Sequence, residues 1–375
     1  MSDWTVPFCP RPPDWKLDWP AIESALDEVR ALSGVPQDPL WHAEGDVLIR
    51  TRMVAEAMIA EAQWRSRGEQ DRNVLFLSAL LHDIGKTPTT RMEDGRIRSP
   101  RHSITGQRMA RKLLWEATAC DSPGFPLRET IASMVRYHGL PLMFVEKAGP
   151  ERSIIEASMS VRCDHLALLA RADVLGRNAL STADMLARIE LFHEICAEQD
   201  CLNHAKAFES EHHRFIYFNA NRDYTYVPFD DTRCEVTLMS GLPATGKNHW
   251  ITQNAADLPV ISLDDLRKEL NIDPGEGSGT VANAAKEQAK VFLRQDRSFV
   301  WNATNITREL RQQLIALFAN YKARIRTVYV ECPPEELHAR NHRRTDPVPT
   351  TVIQRLIEKL EVPTIVESHQ LLLPF

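Results

Sequence analysis

The chain has 375 residues, 43% hydrophobic and 26% charged, with a formal net charge of −6 at pH 7. This length predicts two domains, because a single hydrophobic core stops growing well below it. The negative charge argues against broad binding to polyanions, so any nucleic acid would have to bind at local basic patches. No apolar stretch approaches the length of a membrane span, and no membrane partner is expected.

Seven cysteines are scattered along the chain without a C-x-x-C pair. This pattern predicts reduced thiols and a cytoplasmic location, and it argues against a disulfide framework or a zinc knuckle. The N-terminal residues lack a basic segment followed by an apolar one, which is the pattern of a signal peptide.

Amphipathic helical patterns fill the first part of the chain, where strand signals are scarce. Residues 1–20 are rich in Pro and Trp and are predicted to be extended over the surface. Residues 21–215 are predicted to be an all-α domain, from runs such as VLIRTRMVAEAMIAEA, VLFLSALL and DHLALLARADVLG. Within them, ESEHHRF is predicted to be an exposed helical face. Residues 216–233 contain the turn-forming clusters NANRD and PFDD and are predicted to be a connector.

Residues 234–375 alternate short β-branched runs with helical patterns. The predicted strands are CEVTLMS, PVISLD, SFVWNAT and IRTVYVE. Such alternation predicts βαβ units on a parallel sheet, and therefore an α/β domain with its boundary near residue 230.

The sequence GLPATGKN, residues 241–248, follows the first of these strands and precedes a predicted helix. It fits the pattern G-x-x-x-x-G-K of a phosphate-binding loop, in which glycines let backbone amides surround a phosphate and the lysine adds positive charge. Asn248 stands where Ser or Thr would ligate magnesium, which leaves its own role open. The residues predicted to bind the phosphates of ATP here are Gly241, Thr245, Gly246, Lys247 and Asn248.

Charged residues beyond this loop could complete a kinase site. SLDDLRKEL places Asp264 at the end of the second strand, where a carboxylate can accept a proton from an acceptor hydroxyl, with Arg267 three residues later. A capping Asp and a surface Arg are the alternative interpretation. ELHARNHRRTDPVP concentrates Arg340, Arg343 and Arg344, which could close over a transferring phosphate or form a solvated basic face.

Together these motifs resemble the P-loop 5′-OH polynucleotide kinases over about residues 234–375. The resemblance implies ATP and magnesium as cofactors, with Lys247 on the β- and γ-phosphates. It also implies that Asp264 is the general base for the 5′-hydroxyl and that Arg267 binds the adjacent nucleic-acid phosphate. Arg340 and Arg343 correspond to arginines of the family's lid. Related small-molecule kinases share most of these motifs.

The sequence LHDIGK, residues 81–86, ends a predicted buried helix. His82 continues the inward face of Leu75, Ser78 and Ala79. Asp83 at this end opposes the helix macrodipole, and a bound metal ion would offset that penalty. The alternative interpretation is a polar helix terminus.

Two further helical patterns place polar side chains among apolar ones. Asp173 shares a face with Leu166 and Leu169, and a buried, unpaired carboxylate should bind a metal or another cation. His138 shares a face with Ile131; alone it would be a satisfied core histidine, but with His82 and Asp83 it suggests a metal site. The residues that could complete this site are His42 and His102 as ligands and Lys86 and Arg177 as phosphate-binding cations.

These residues resemble the HD-domain metal-dependent phosphohydrolases over about residues 35–180. The resemblance implies a primary metal held by His42, His82, Asp83 and Asp173. It implies a second metal or the substrate at His102 and His138, phosphate at Lys86 and Arg177, and catalytic roles for Asp83 and Lys86. Manganese, iron, cobalt, nickel and zinc all suit imidazole-plus-carboxylate ligands.

An HD phosphohydrolase followed by a P-loop kinase resembles the bacterial HD-domain/polynucleotide-kinase fusion enzymes of RNA end healing. This resemblance implies a metal-dependent 2′,3′-phosphatase joined to an ATP-dependent 5′-OH polynucleotide kinase. Its substrates would be RNA or DNA ends, with a ligase acting downstream. Two alternatives remain open: an HD nucleotide phosphohydrolase fused to a small-molecule kinase, and a kinase carrying a catalytically inactive HD binding module.

Overall fold

A computed structural model describes residues 4–38, 45–117, 122–177, 182–273 and 276–374. The chain divides into two compact units, residues 1–207 and 208–375. Within the described ranges, no helix is both long and apolar enough to cross a membrane.

In its described residues, the first unit is helical apart from one small hairpin. Its helices are α1 (Trp19–Ala25), α2 (Asp27–Arg30), α3 (Val47–Ala60), α4 (Ala62–Arg65), α5 (Glu69–Leu81), α6 (Lys86–Thr89), α7 (His102–Trp115), α8 (Phe125–Tyr137), α9 (Leu140–Met143), α10 (Pro150–Ser158), α11 (Cys163–Leu175) and α12 (Thr182–Glu198). Helix α5 lies at the centre, packed against α3, α8 and α11. Its residues from Asn73 to Leu81 are all buried, which explains the unbroken apolar run there.

The segment before α1 contributes to the core of this unit. Val6 and Cys9 are buried in it, and the Val6 amide donates a hydrogen bond to Asn73 Oδ1 at 3.1 Å. Trp15 packs edge-to-face on Trp64, with ring centroids 5.4 Å apart. The predicted extended segment is therefore anchored by apolar side chains, and it does not simply lie over the surface.

A two-stranded hairpin interrupts the helices, although no strand is predicted in this region. Strand β1 (Arg91–Glu93) pairs antiparallel with β2 (Arg96–Arg98). The turn is Asp94–Gly95, and both residues have positive φ, 50° and 72°. An Asp-Gly pair is a strong local signal for such a turn, but strands of three residues are too short to show an alternating pattern.

The second unit is an α/β domain with a parallel sheet. Its strands are β3 (Cys234–Ser240), β4 (Val260–Ser262), β5 (Phe299–Asn302), β6 (Ala323–Tyr329) and β7 (Gln370–Leu372). Its helices are α13 (Glu211–Asn219), α14 (Lys247–Asn254), α15 (Leu263–Glu269), α16 (Ser278–Arg294), α17 (Arg308–Asn320), α18 (Pro334–His342) and α19 (Thr350–Lys359). The sheet order is β4-β5-β3-β6-β7, with parallel pairing throughout. The four predicted strands are present, and β7 is an addition.

The division between the units lies earlier than the boundary predicted near residue 230. Helix α13 precedes that boundary, yet its Phe215 packs with residues of β3 and β5 in the second core. His212 and His213 on this helix are buried, so the predicted exposed face is wrong. The His212 ring stacks on His369, and His213 Nε2 donates to the Tyr224 carbonyl oxygen at 2.8 Å.

Candidate functional site

The HD doublet lies at the point where α5 ends. His82 is the C-cap of α5, and both His82 and Asp83 are buried. Gly85 then lets α7 approach this turn, because a Cβ atom at Gly85 would lie 2.0 Å from the His102 carbonyl oxygen and 2.5 Å from the Gly106 amide nitrogen. The glycine of LHDIGK thus has a structural role: it brings His102 next to Asp83.

Three histidines present the same ring nitrogen to Asp83. His82, His102 and His138 place Nδ1 at 2.7, 2.9 and 2.8 Å from backbone carbonyl oxygens of Ala79, Ser99 and Val135. A carbonyl oxygen only accepts, so each Nδ1 carries the proton, and in the neutral ring each Nε2 has a free lone pair. Burial lowers the pKa of His138 to about 3 and also lowers that of His102, which keeps these rings neutral near pH 7.

The three Nε2 atoms lie around the Asp83 carboxylate, and Asp83, His102 and His138 offer ligand atoms within 4.8 Å of one another, as a metal site would. They lie 3.2, 3.6 and 3.9 Å from its oxygens, for His82, His102 and His138 respectively. Two ligands each about 2.1 Å from one ion are separated by about 3–3.5 Å. His82 Nε2 is buried without a hydrogen-bond partner, as expected of a metal ligand whose other nitrogen is held by the backbone.

Asp173 reaches the same cluster from α11. One of its oxygens lies 3.6 Å from His82 Nε2 and accepts from Arg50, and the other accepts from Arg177 Nη2 at 2.6 Å. Burial alone would raise the pKa of Asp173, but Arg50, Arg177 and His82 outweigh it and hold this pKa well below its usual range. Arg177 therefore contacts Asp173 directly, whereas the sequence suggests phosphate as its ligand.

Arg50 is a member of the cluster that is not among the predicted residues. It is only 4% exposed and contacts both Asp173 and Asp83, the latter at 3.6 Å. On α3 it falls three residues after the buried Val47 and four before the buried Val54. The sequence did contain a signal for this residue: a charged side chain on the apolar stripe of a helix should be buried beside an opposite charge.

Lys86 connects the buried cluster to an open cavity. Its Nζ lies 2.9 Å from Asp83 Oδ2 and donates to Gln37 Oε1 at 3.2 Å. Burial alone would raise the pKa of Asp83, but Lys86, His82 and Arg50 hold it well below its usual range. The cavity has a volume of about 350 Å³. Its lining includes Lys86 and His102 together with Gln37, Arg96, Arg98 and Ser99.

The charges of this cluster favour an anionic ligand. Among the described residues, the three cations Arg50, Lys86 and Arg177 face two carboxylates. With His102 and His138 neutral, these three cations and two carboxylates leave one net positive charge in a buried setting, where electrostatic interactions are strong. All predicted HD-site residues are thus brought together except His42, which lies outside the described residues.

The phosphate-binding loop follows β3 with the backbone that the motif requires. Gly241 and Gly246 have φ of 145° and 107°, and a Cβ atom at Gly241 would lie 2.3 Å from the Val330 carbonyl oxygen. Lys247 curls over the loop, donating to the carbonyl oxygens of Gly241 and Leu242 at 2.9 and 2.8 Å. A bound phosphate would therefore compete with these two carbonyl oxygens for the Lys247 ammonium group.

Arginines of the predicted lid differ in their contacts with this loop. Arg340 donates through Nη1 to the Thr245 carbonyl oxygen at 3.0 Å, so it already touches the loop. Arg343 is exposed at the C-cap of α18. The Thr245 hydroxyl is turned inward, donating to the Leu242 carbonyl oxygen at 2.9 Å.

Asn248 pairs with the asparagine that ends β5. Asn302 Nδ2 donates to Asn248 Oδ1 at 2.8 Å. The amide oxygen that could replace a Ser or Thr ligand of magnesium is therefore already an acceptor. An ion at this position would have to displace Asn302 or bind through water.

Asp264 and Arg267 lie on the first turns of α15, but they face different groups. Asp264 is exposed, and its charge acts on Lys247. Arg267 Nη1 donates to the carbonyl oxygens of Asp273 and Glu276 at 3.1 and 2.7 Å. The predicted phosphate-binding arginine is thus tied to the segment that follows α15.

The state of Lys247 predicts a pH dependence of ATP binding. Burial lowers the pKa of Lys247 to about 8, although Asp264 acts to raise it. A bound triphosphate stabilises the ammonium form, so the pKa should rise on binding and a proton should be taken up above pH 8. Between the two pKa values the affinity should fall about tenfold per pH unit as the pH rises. Calorimetry in buffers of different ionisation enthalpy measures this uptake; Lys247→Arg should abolish it, and equal uptake by that variant would contradict the assignment.

Known proteins match each part of the chain. Residues 48–178 match the family model of the HD domain, and residues 236–363 match that of an AAA domain. The fold prediction is therefore confirmed: an N-terminal helical HD domain precedes a C-terminal P-loop domain with a parallel sheet.

Among the individual proteins that match part of the chain are a curated relative and a solved structure. The multifunctional CCA protein of Halorhodospira halophila (strain DSM 244 / SL1) is 36% identical over 94 residues, which are 25% of this chain and 20% of that protein. The chain thus spans about a fifth of the length of this relative. A crystal structure from Chloroflexus aurantiacus J-10-fl, provisionally named a kinase, matches 38% of this chain and 86% of its own, with a TM-score of 0.33 and 16% identity.

Proposed function

We propose that this protein heals broken RNA or DNA ends. The HD unit removes a 2′,3′-cyclic phosphate or a 2′- or 3′-monophosphate, and the P-loop unit uses ATP and magnesium to phosphorylate a 5′-hydroxyl. The observation that carries the proposal is the convergence of three Nε2 lone pairs and two carboxylates in a buried, positively charged cluster, in a chain that also has a phosphate-binding loop.

The described residues of the first unit fit a divalent metal ion. Asp83, His102 and His138 would hold it, and His82 and Asp173 lie next to them as further ligands. When bound, such an ion lowers the pKa of a coordinated water and polarises a phosphoryl group.

Other residues of this unit position the phosphate and the ligands. Lys86 lines the cavity and presents its ammonium group to a terminal phosphate. Arg50 and Arg177 hold the Asp173 carboxylate in place, and the backbone carbonyl oxygens fix the histidine rings.

The second unit supplies binding, orientation and a proton acceptor. The loop amides and Lys247 would bind the β- and γ-phosphates, and Arg340 lies against the loop where the transferring phosphate would sit. Asp264, exposed near Lys247, would accept the proton of the 5′-hydroxyl.

A single oligonucleotide tests both halves. We expect the protein, supplied with ATP, magnesium and manganese, to convert an oligoribonucleotide with 5′-hydroxyl and 3′-phosphate ends into one with a 5′-phosphate and a 3′-hydroxyl. End-group analysis with γ-labelled ATP resolves the two changes, and omission of ATP should suppress only the 5′ change. A protein that alters neither end, under any of the candidate divalent metals, would overturn the proposal.

The contacts of Arg267 favour a second candidate, a phosphohydrolase fused to a small-molecule kinase. Its guanidinium group is engaged by two backbone carbonyl oxygens, and a mononucleoside acceptor offers it no neighbouring phosphate. Comparison of a nucleoside with an oligonucleotide as phosphate acceptor decides between the two. Equal or higher kcat/KM for the nucleoside would favour the second candidate.

A further inference from the structure

The hairpin β1–β2 is built into the HD site. It occupies the chain between Lys86 and His102, and its base is closed by a hydrogen bond of 2.8 Å between the hydroxyl groups of Thr90 and Ser99. The Ser99 carbonyl oxygen accepts from His102 Nδ1 at 2.9 Å. Ser99 therefore supports both the hairpin and the buried cluster. A molecule bound at the cluster would lie next to the hairpin.

The hairpin concentrates arginines in a chain whose net charge is negative. Arg91, Arg96, Arg98 and the neighbouring Arg101 are all exposed. Arg91 pairs with Glu93, whose carboxylate it contacts through Nε at 2.6 Å. Among the described residues, Arg96, Arg98 and Arg101 face no carboxylate within ion-pairing distance. Three guanidinium groups thus remain available at the surface.

The strand register places the arginine side chains together. Arg91 is paired with Arg98, and Glu93 with Arg96, so these side chains share one face of the hairpin, while Met92 and Ile97 share the other. This face therefore carries three arginines and one glutamate, and Glu93 is bound by Arg91. The like charges of Arg96 and Arg98 are unfavourable neighbours unless a further anion lies beside them.

The cavity at the HD site extends along this hairpin. Its lining combines Lys86 and His102 with Arg96 and Arg98, and these basic groups outnumber the one lining carboxylate, Asp38. A terminal phosphate near Lys86 would therefore have the rest of its molecule beside β2. Only a ligand that continues beyond its terminal phosphate, with further negative charges, would use both arginines.

We propose that this hairpin binds the sugar-phosphate backbone of a single-stranded polynucleotide whose terminal phosphate lies at the HD site. The inference rests on the proposed function and narrows it, because it makes a strand, and not a mononucleotide, the substrate of the HD unit. Guanidinium groups suit this role because they donate paired hydrogen bonds to phosphate oxygens. Such contacts fix a strand in position without reading its sequence.

Binding of an oligonucleotide tests the hairpin without any turnover. The probe is a short oligoribonucleotide with a 3′-phosphate and a fluorophore blocking its 5′ end, added to the full chain without divalent metal. We expect the double variant Arg96→Ala/Arg98→Ala to bind it about 10- to 100-fold more weakly at low salt. The slope of log affinity against log salt concentration should fall by about 0.7 for each phosphate contact removed.

The matched control is Arg30→Ala/Arg52→Ala, which removes the same charge from the same unit. Both arginines are more than half exposed and pair with Asp27 and Glu56 on their own helices. This control should bind the probe as the unmodified protein does. Equal weakening by the two double variants, or none by Arg96→Ala/Arg98→Ala, would overturn the proposal.

Hydrolysis rates distinguish an effect of the hairpin on strand binding from an effect on the terminal phosphate. We expect the hairpin variant to raise KM for the 3′-phosphate oligonucleotide by a much larger factor than it raises KM for nitrophenyl phosphate, because that substrate has no strand. A similar KM increase for both substrates would overturn the proposal, since the arginines would then act on the terminal phosphate. If the unmodified protein hydrolyses neither substrate but binds the probe through the hairpin, the proposed phosphatase fails while strand binding stands.

Discussion

Replacing Asp83 by alanine should remove hydrolysis of a terminal 3′-phosphate while phosphorylation of a 5′-hydroxyl continues at the rate of the unmodified protein. Asp83 is the residue on which His82, His102, His138 and Lys86 converge. Replacing residues that merely support metal ligands lowers activity by about 10- to 100-fold, so loss of Asp83 should exceed about 100-fold. The measurement is the rate at which each end changes on an oligonucleotide with 5′-hydroxyl and 3′-phosphate groups.

Lys247→Ala should have the opposite effect. Its ammonium group is the charge that the phosphate-binding loop adds to its backbone amides, and it now rests on two loop carbonyl oxygens. Loss of one such group in a phosphate or oxyanion site lowers kcat by about 100- to 1,000-fold. The 3′-phosphatase rate on the same oligonucleotide should not change.

Two surface variants provide controls for this pair. Asp27→Ala and Lys290→Ala remove the same charges from exposed ion pairs, one in each unit, and should leave both rates unchanged. If either Asp83→Ala or Lys247→Ala lost both activities equally while keeping the circular dichroism of the unmodified protein, the model of two independent sites would be wrong.

Helical periodicity accounts for the part of the HD site that the sequence revealed. His82, His138 and Asp173 each continue an apolar face, on the turn after α5, on the turn after α8 and on α11. Helices α8 and α11 both pack against α5, so residues at these ends share one core. A local pattern therefore predicted which side chains point inward. The packing of α8 and α11 against α5 then brings these side chains together.

Arg50 shows what periodicity alone could not provide. Its place on the buried stripe of α3 was visible, but long basic side chains usually carry their charge back to solvent. Arg50 stays buried because Asp83 and Asp173 face it from two other segments of the chain. That pairing is a tertiary contact, which no spacing within one helix contains.

Two further features could not be predicted because they also depend on tertiary contacts: strand β7 and a cluster of three thiols. Strand β7 has three residues and owes its pairing to β6, some forty positions earlier. The thiols of Cys163, Cys196 and Cys201 lie within 4.8 Å of one another, although their spacing suggests no cluster. In both cases the deciding neighbours are remote in sequence.

Glu367→Ala should lower the free energy of unfolding of the second unit by about 3–5 kcal/mol. Glu367 accepts from Arg311 Nε and Nη2 at 2.7 and 3.0 Å, and the two side chains are 2% and 0% exposed. Without the carboxylate the guanidinium group would remain buried without a counter-ion, and only its Nη1 would keep hydrogen-bond acceptors. Hydrogen exchange of β3 and β6 measures the change within this unit, and Glu287→Ala, which breaks an exposed pair, should leave it unchanged.

The same ion pair also supports the phosphate-binding loop, so Glu367→Ala should weaken ATP binding as well. Arg311 Nη1 donates to the Asn305 carbonyl oxygen at 3.0 Å, and that oxygen also accepts from the Ser240 hydroxyl at 3.0 Å. Ser240 ends β3 directly before Gly241, the first glycine of the loop. The double variant Arg311→Met/Glu367→Leu removes both charges, and should recover most of the lost stability because apolar side chains can replace a buried pair. If Glu367→Ala were no less stable than Glu287→Ala, the pair would not anchor this end of the sheet.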